Sequence, residues 1–87
     1  MTLLTPDNLR PYGKEWARPT GEAIQEVLER ASLTGEQAAL LVGVSDSRTI
    51  RRYTANDREI SFAVWALLCE AAGLGQIWRA QQTPPTD

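Results

Sequence analysis

Two short amphipathic segments that meet at a glycine constrain the fold of this chain more than any other feature. The first begins after Thr34, whose side-chain oxygen can cap a helix by accepting from unpaired backbone N–H groups. It extends to Val42, and Gly43 then permits the positive φ with which a helix ends sharply. Ala39 leaves room for another helix to cross close by. The pattern predicts two short helices joined by a sharp turn.

The second segment predicts a helix with an apolar inner face and a basic outer face. Asp46 or Ser47 can cap its first turn, and the sequence leaves this choice open. Ile50 and Tyr53 are three residues apart and therefore face inward together. The outer face then carries three arginines, namely Arg48, Arg51 and Arg52. We expect these three guanidinium groups to share one exposed surface.

These residues resemble the helix-turn-helix of the lambda-repressor-like transcriptional regulators, also called the Cro-type or XRE family. The resemblance rests on Thr34, Ala39, Gly43, Val44, Ser45 and the run TIRRY at 49–53. It covers roughly residues 19–74 as a helical domain and is sharpest over 34–53. Ile50 lies seven positions after Gly43, one further than is usual in the family, so we expect one extra residue in the turn. The implied fold is all-α, with four to five helices.

Composition limits what can surround this unit. With 87 residues, of which 43% are hydrophobic, the chain can form one small domain with a modest core. Nine basic residues against eleven acidic residues give a net charge of −2, so any positive surface must be local. Residues 48–58 contain four arginines against Asp57 alone, which concentrates positive charge where DNA would meet it.

Several classes of function are disfavoured by residues that the chain lacks. It contains no histidine and only one cysteine, Cys69, which excludes disulfide frameworks and cysteine-rich metal sites. There is no Gly-rich phosphate loop, and Cys69 has no base near it in sequence, so we expect no enzyme. No apolar run approaches the roughly 18 residues of a membrane span. We expect a cytoplasmic protein without a cofactor.

The segments on either side of the pair predict an arm, two more helices and a tail. Residues 1–19 contain three prolines, which favour an extended N-terminal arm over a long helix. Tyr12 and Trp16 are large aromatic residues, so we expect them to pack the arm over the domain. A short helical turn within 9–17 is compatible with this arm. In the alternative, basic residues of the arm follow the DNA backbone, with Arg18 as the candidate because it precedes a helix start.

The remaining helices complete a domain over residues 20–80. One starts after Thr20 with Ile24, Val27, Leu28 and Ala31 on a single stripe. Another is capped by Ser61 and is apolar almost all round over 62–72, which predicts burial on more than one side. A short apolar segment follows, and the resemblance implies a fifth helix that supports a dimer through Leu74, Ile77 and Trp78. For Ile77 and Trp78, packing into the core is the open alternative to a dimer contact. Residues 81–87 are expected to be a disordered tail.

The resemblance implies a regulator whose arginine helix lies in the major groove of double-stranded DNA. Arginine suits base recognition because its planar guanidinium can bond guanine O6 and N7 together. The expected base contacts are Arg48, Arg51, Arg52, Ser47 and Thr49. The expected phosphate contacts are Arg58, Thr54, Asn56, Arg18 and Thr34.

The function that follows is sequence-specific transcriptional regulation. Its simplest form is a small homodimeric repressor that binds an inverted repeat and represses its own gene, within a phage, plasmid or other mobile genetic element. The alternative comes from another class, an antitoxin-like or other protein-interaction module. In that case the acidic face of the helix after Thr20, or the apolar segment 74–78, would bind a partner protein.

Overall fold

The computed structural model of the chain describes residues 4–13 and 15–79, without the side chain of Arg79. In it, four α-helices form an all-α domain. The α-helices are α1 (Gly21–Arg30), α2 (Gly35–Val42), α3 (Ser47–Thr54) and α4 (Phe62–Ala71). A 3-10 helix lies before them at Pro6–Leu9 and another after them at Ile77–Arg79, and the described residues form no strand. The predicted all-α fold is confirmed. No helix among these residues has the length and apolar character needed to cross a bilayer.

Each α-helix begins directly after a residue whose side chain caps it. The caps are Thr20, Thr34, Asp46 and Ser61. In each case a side-chain oxygen accepts from a first-turn backbone N–H at 3.0 to 3.2 Å. The choice that the sequence left open falls on Asp46, because Ser47 is already the first residue of α3. Gly43 ends α2 in the left-handed region with a φ of 79°.

The apolar stripes of the four helices meet in one core. α3 packs against α1 and α2, whereas α4 packs against α1, α2 and the C-terminal 3-10 helix. The buried core consists of Ile24, Val27, Leu28, Ala38, Ala39, Ile50, Tyr53, Ile60, Trp65, Ala66, Leu68, Cys69 and Ile77. The predicted inward positions of α3, Ile50 and Tyr53, are confirmed. Because its inner face is fixed in the core, α3 presents its other face outward.

The N-terminal arm is attached to α4 through Asn8 and a group of aromatic rings. The backbone carbonyl oxygen of Asn8 accepts from the indole Nε1 of Trp65 at 2.7 Å and from that of Trp16 at 3.1 Å. The rings of Trp16 and Tyr12 meet the ring of Phe62 edge-on, with centroids 5.2 and 5.5 Å away. The prediction that the arm packs over the domain is confirmed.

The two ends of the chain differ in detail from the sequence expectations. The helical turn of the arm lies at Pro6–Leu9, mostly before the 9–17 window, because proline fits the first position of a helix. The expected fifth helix is a single 3-10 turn at Ile77–Arg79. Ile77 is 3% exposed and belongs to the core, which corrects its assignment to a dimer surface. The predicted disordered tail, 81–87, lies outside the described residues.

Candidate nucleic-acid interface

The outer side of α3 carries a basic surface, here called the arginine face. It consists of Arg48, Arg51 and Arg52. All three side chains are exposed, and together with Ala55 and Asp57 they border a shallow open depression. The structure therefore brings the three arginines of the predicted base-contact set onto one surface. The other two members, Ser47 and Thr49, are half-buried in the first turn of the same helix.

The C-terminal end of α3 is locked against the start of α1. The backbone N–H of Gly21 donates to Asn56 Oδ1 at 2.7 Å. A Cβ atom at Gly21 would overlap the carbonyl oxygen of Thr54, so only glycine permits this approach. Asn56 has a φ of 63°, a left-handed value that asparagine adopts more readily than most residues. Asn56, a predicted phosphate contact, thus holds the orientation of α3 relative to α1.

The N-terminal end of α3 lies against the first turn of α2. A Cβ atom placed on Gly35 would come within 3.3 Å of the Cβ of Ser47. Thr34 directly precedes Gly35, so the predicted contact residues Thr34 and Ser47 lie near one another at two helix starts. Unpaired backbone N–H groups at such positions favour anions.

Ion pairing separates the arginines of this chain into two groups. Four of those in the described residues have a carboxylate oxygen within 4.0 Å, namely Arg10, Arg18, Arg30 and Arg48. Across the same described residues, the guanidinium groups of Arg51, Arg52 and Arg58 have none. These three groups can therefore bind phosphate or base edges without first breaking a salt bridge.

Arg48 is the exception on the arginine face because Asp46 holds it. Asp46 Oδ1 accepts from the backbone N–H of Arg48 at 3.0 Å, and Oδ2 lies 3.4 Å from its guanidinium Nη2. Desolvation by itself raises the pKa of the Asp46 carboxyl group. Hydrogen bonds from the backbone N–H groups of Arg48 and Thr49, together with the positive charge of Arg48, outweigh this effect. The pKa of Asp46 therefore lies below its ordinary value. From the sequence, Asp46 is predicted only as a helix cap. The acidic residue two positions before Arg48 is the feature from which the ion pair between Asp46 and Arg48 could have been predicted.

Besides Thr34 and Asn56, two more of the predicted phosphate contacts, Arg18 and Thr54, have side-chain bonds within the chain. Arg18 Nε donates to the carbonyl oxygen of Ile60 at 2.9 Å, and its guanidinium covers the ring of Trp16 at 5.4 Å from the centroid. The hydroxyl of Thr54 donates to the carbonyl oxygen of Arg51 at 3.0 Å. The structure thus gives Arg18 a role in holding the arm, which follows the packed-arm interpretation rather than the DNA-backbone alternative.

A second exposed surface, here called the apolar groove, lies on α4 and the C-terminal 3-10 helix. It is lined by Phe62, Ala63, Ala66, Leu67 and Trp78. Leu67 and Trp78 are each 37% exposed, and Tyr12 adjoins the groove through its contact with Phe62. Of the predicted dimer residues, Trp78 lies in this groove, whereas Leu74 is half-buried against the core.

Two observations concern the metal-ligating and nucleophilic side chains of the described residues. They contain no group of three or more cysteine, aspartate or glutamate side chains placed to hold a metal ion. Cys69 is buried in the core, and this burial raises the pKa of its thiol to about 12. The thiol is therefore protonated and unreactive at neutral pH.

Comparison with known proteins identifies two related repressors from Escherichia coli. The first is named Transcriptional repressor protein KorC and is 48% identical over 75 residues, which cover 84% of this chain and 87% of that protein. The second has the same name and is 49% identical over 73 residues, covering 82% of this chain and 85% of that protein. No model of an established protein family matches the chain.

Proposed function

Because the chain belongs to the family of the KorC transcriptional repressors, we propose that it represses transcription by binding double-stranded DNA in a sequence-specific manner. In this proposal α2, the turn at Gly43 and α3 form a helix-turn-helix of the lambda-repressor-like type. The arginine face of α3 enters the major groove, which is wide enough to admit an α-helix.

The observation that carries this proposal is the set of unpaired guanidinium groups on an anchored, exposed helix. Arg51 and Arg52 project from α3 without a carboxylate partner among the described residues. α3 itself is held by Ile50 and Tyr53 in the core and by the Gly21 contact at its end. A fixed helix that presents planar, charged donors matches the geometry needed to recognise base edges.

Within this surface we assign separate roles to the side chains. Arg48 and Arg51 contact base edges, and Arg52 contacts a base or a phosphate. Ser47 and Thr49 assist from the first turn. Arg58, exposed in the loop after α3 and without a carboxylate partner among the described residues, contacts phosphate. Base contacts specify the sequence, whereas phosphate contacts position the protein on the duplex.

We further propose that the protein binds as a homodimer whose subunits meet at the apolar groove. The lining side chains are all apolar, so two copies can face each other across a two-fold axis without burying a charge. A symmetric dimer would place two arginine faces on an inverted repeat, with half-sites one or two helical turns apart.

The test is selection of binding sites from a random duplex library at two salt concentrations. Wild type is compared with the triple variant Arg48→Ala, Arg51→Ala, Arg52→Ala, and with Arg30→Ala as a matched control that removes one exposed arginine elsewhere. We expect wild type and the control to enrich the same inverted repeat, and the triple variant to enrich none. If folded wild type enriches no sequence, the proposal is wrong and the partner-binding alternative takes its place.

The dimer is tested separately by analytical ultracentrifugation. Leu67→Glu places a charge in the groove, and Leu40→Glu, at an 83% exposed position on α2 outside the groove, is the matched control. We expect the groove variant to shift the protein toward monomer while the control does not. Equal sedimentation of all three proteins as dimers would place the dimer surface elsewhere.

A further inference from the structure

We propose that Asp46 is a specificity-determining residue, because its carboxylate positions the guanidinium of Arg48 for one base pair of the DNA site. This inference rests on the proposed function and deepens it. It concerns how the first turn of α3 selects sequence. Asp46 acts here through Arg48 and is therefore a positioning residue.

The first observation is that both oxygens of the Asp46 carboxylate are engaged by the same residue. Oδ1 accepts from the backbone N–H of Arg48, and Oδ2 faces guanidinium Nη2. The backbone of Asp46 is extended, with φ −164° and ψ 177°, which directs its side chain back over the first turn of α3. The carboxylate therefore links the start of the helix to the end of the Arg48 side chain.

The second observation is that capping alone does not require an aspartate at this position. The other three α-helices are capped by Thr20, Thr34 and Ser61, whose hydroxyl groups accept from the third backbone N–H of the helix, whereas Asp46 accepts from the second. A side-chain oxygen of either kind satisfies an unpaired first-turn donor. Only a carboxylate adds a second, charged oxygen that can hold a guanidinium. Exposed ion pairs contribute little to folding stability, and the Arg48 side chain is 74% exposed. The extra oxygen is therefore explained better by orientation than by stability.

The third observation is the contrast with the neighbouring arginines. Arg51 and Arg52 have no carboxylate within 4.0 Å among the described residues, although they lie on the same face. A carboxylate beside a DNA-binding surface repels phosphate, so its presence needs a compensating benefit. That benefit is a side chain already ordered before binding, with its remaining N–H donors free for guanine O6 and N7.

The position of Arg48 at the start of α3 fits this role. In helix-turn-helix proteins the N-terminal residues of the recognition helix reach the base edges. A long flexible side chain loses conformational freedom when it docks there, and holding it beforehand lowers that cost. Asp46 should therefore sharpen the preference at the base pair read by Arg48 while slightly weakening attraction to DNA in general.

The experiment measures Kd for the selected operator, for operators changed at each base pair in turn, and for random DNA. Asp46→Asn and Asp46→Ser both retain a capping oxygen but remove the charge. Asp57→Asn is the matched control, because Asp57 borders the same depression and is not paired with Arg48. Arg48→Ala and the double variant Asp46→Asn, Arg48→Ala complete a double-mutant cycle.

We expect the Asp46 variants to lose about threefold to tenfold of base preference at the single position where Arg48→Ala also loses it. The Asp46 variants should bind random DNA as tightly as wild type or more tightly. The control Asp57→Asn should show the same effect on random DNA but should keep the base preference of wild type. In the Arg48→Ala background the Asp46 change should have no further effect on preference.

The inference is overturned if Asp46→Asn changes preference at a different position, or weakens all sequences equally while folding as wild type does. It is also overturned if the two effects are additive in the cycle. Wild type is titrated first, so that failure of the proposed function, in which no sequence is preferred at all, is distinguished from failure of this inference.

Discussion

The arginines of the N-terminal half and those around α3 are the same residue type in opposite surroundings. Arg10 pairs with Asp7 at 2.7 Å and Arg30 pairs with Glu26 at 2.8 Å, so each charge is largely neutralised where it lies. Around α3, by contrast, three of the four arginines have no carboxylate partner among the described residues, namely Arg51, Arg52 and Arg58. The difference shows that ion pairs with carboxylates determine which surfaces of the described residues carry uncompensated positive charge.

This contrast explains how a protein with a net charge of −2 can present a surface suited to DNA. Carboxylates of the arm and α1 cancel nearby basic groups and leave the outer side of those segments neutral or acidic. Among the described residues, the unpaired positive charge that can attract phosphate then lies around α3. We infer that non-specific binding is weak and that most of the affinity depends on the site itself.

The largest predicted effect is loss of operator binding in Arg51→Ala. The variant removes an unpaired guanidinium from the middle of α3 and should cost about 1–3 kcal/mol on the selected site. It should also relax the preference at one base pair. Titration of the operator and its single-base variants measures both quantities. An equal loss on random DNA would reassign Arg51 to phosphate.

The next effect is loss of stability, not of binding, in Arg18→Ala. The change removes the hydrogen bond to the Ile60 carbonyl and the cover over the Trp16 ring, which together should be worth about 1 kcal/mol. The melting temperature should therefore fall by roughly 4–8 °C. Thermal melts and DNA titration below the transition separate the two readouts. A lower DNA affinity with unchanged melting would restore the DNA-backbone alternative for Arg18.

A smaller effect is expected for Arg58→Ala, which should weaken binding to every sequence by a similar factor of roughly a few-fold. Arg58 is exposed beyond the end of α3 and should contact phosphate only. The slope of log K against log salt should become less steep by about 1, because one fewer counterion is released. Titration at several salt concentrations measures that slope. A selective loss on the operator would make Arg58 a base contact instead.

Local chemistry explains which parts of the fold the sequence predicted. The helix starts at Thr20, Thr34 and Ser61 follow from caps that act within one turn of the chain. The inward positions Ile50 and Tyr53 follow from helical periodicity. The shared exposure of the three arginines follows from the same period. All of these features depend on residues only a few positions apart.

The features that the sequence did not reveal depend on residues far apart in the chain. The Asn8 carbonyl accepts from Trp65, 57 residues later, and Arg18 donates to Ile60, 42 residues later. Helical periodicity and capping motifs relate residues a few positions apart, so they cannot predict hydrogen bonds between residues this distant in sequence. The sequence left Ile77 open between core and dimer surface for the same reason, since its burial depends on how the chain returns to the core after α4. The contacts by which Arg18 holds the arm likewise depend on the three-dimensional position of the arm.

The smallest predicted effect is that of Arg30→Ala, and it tests the comparison directly. Arg30 forms an i, i+4 pair with Glu26 on α1, where such pairs contribute only a few tenths of a kcal/mol to helix stability. Its charge is already compensated, so removing it should leave operator affinity and the salt slope unchanged within error. The same titrations used for Arg58→Ala provide this measurement. A salt slope reduced as in Arg58→Ala would mean that a paired arginine on α1 also meets phosphate, and ion pairing would no longer distinguish the DNA-facing arginines from the rest.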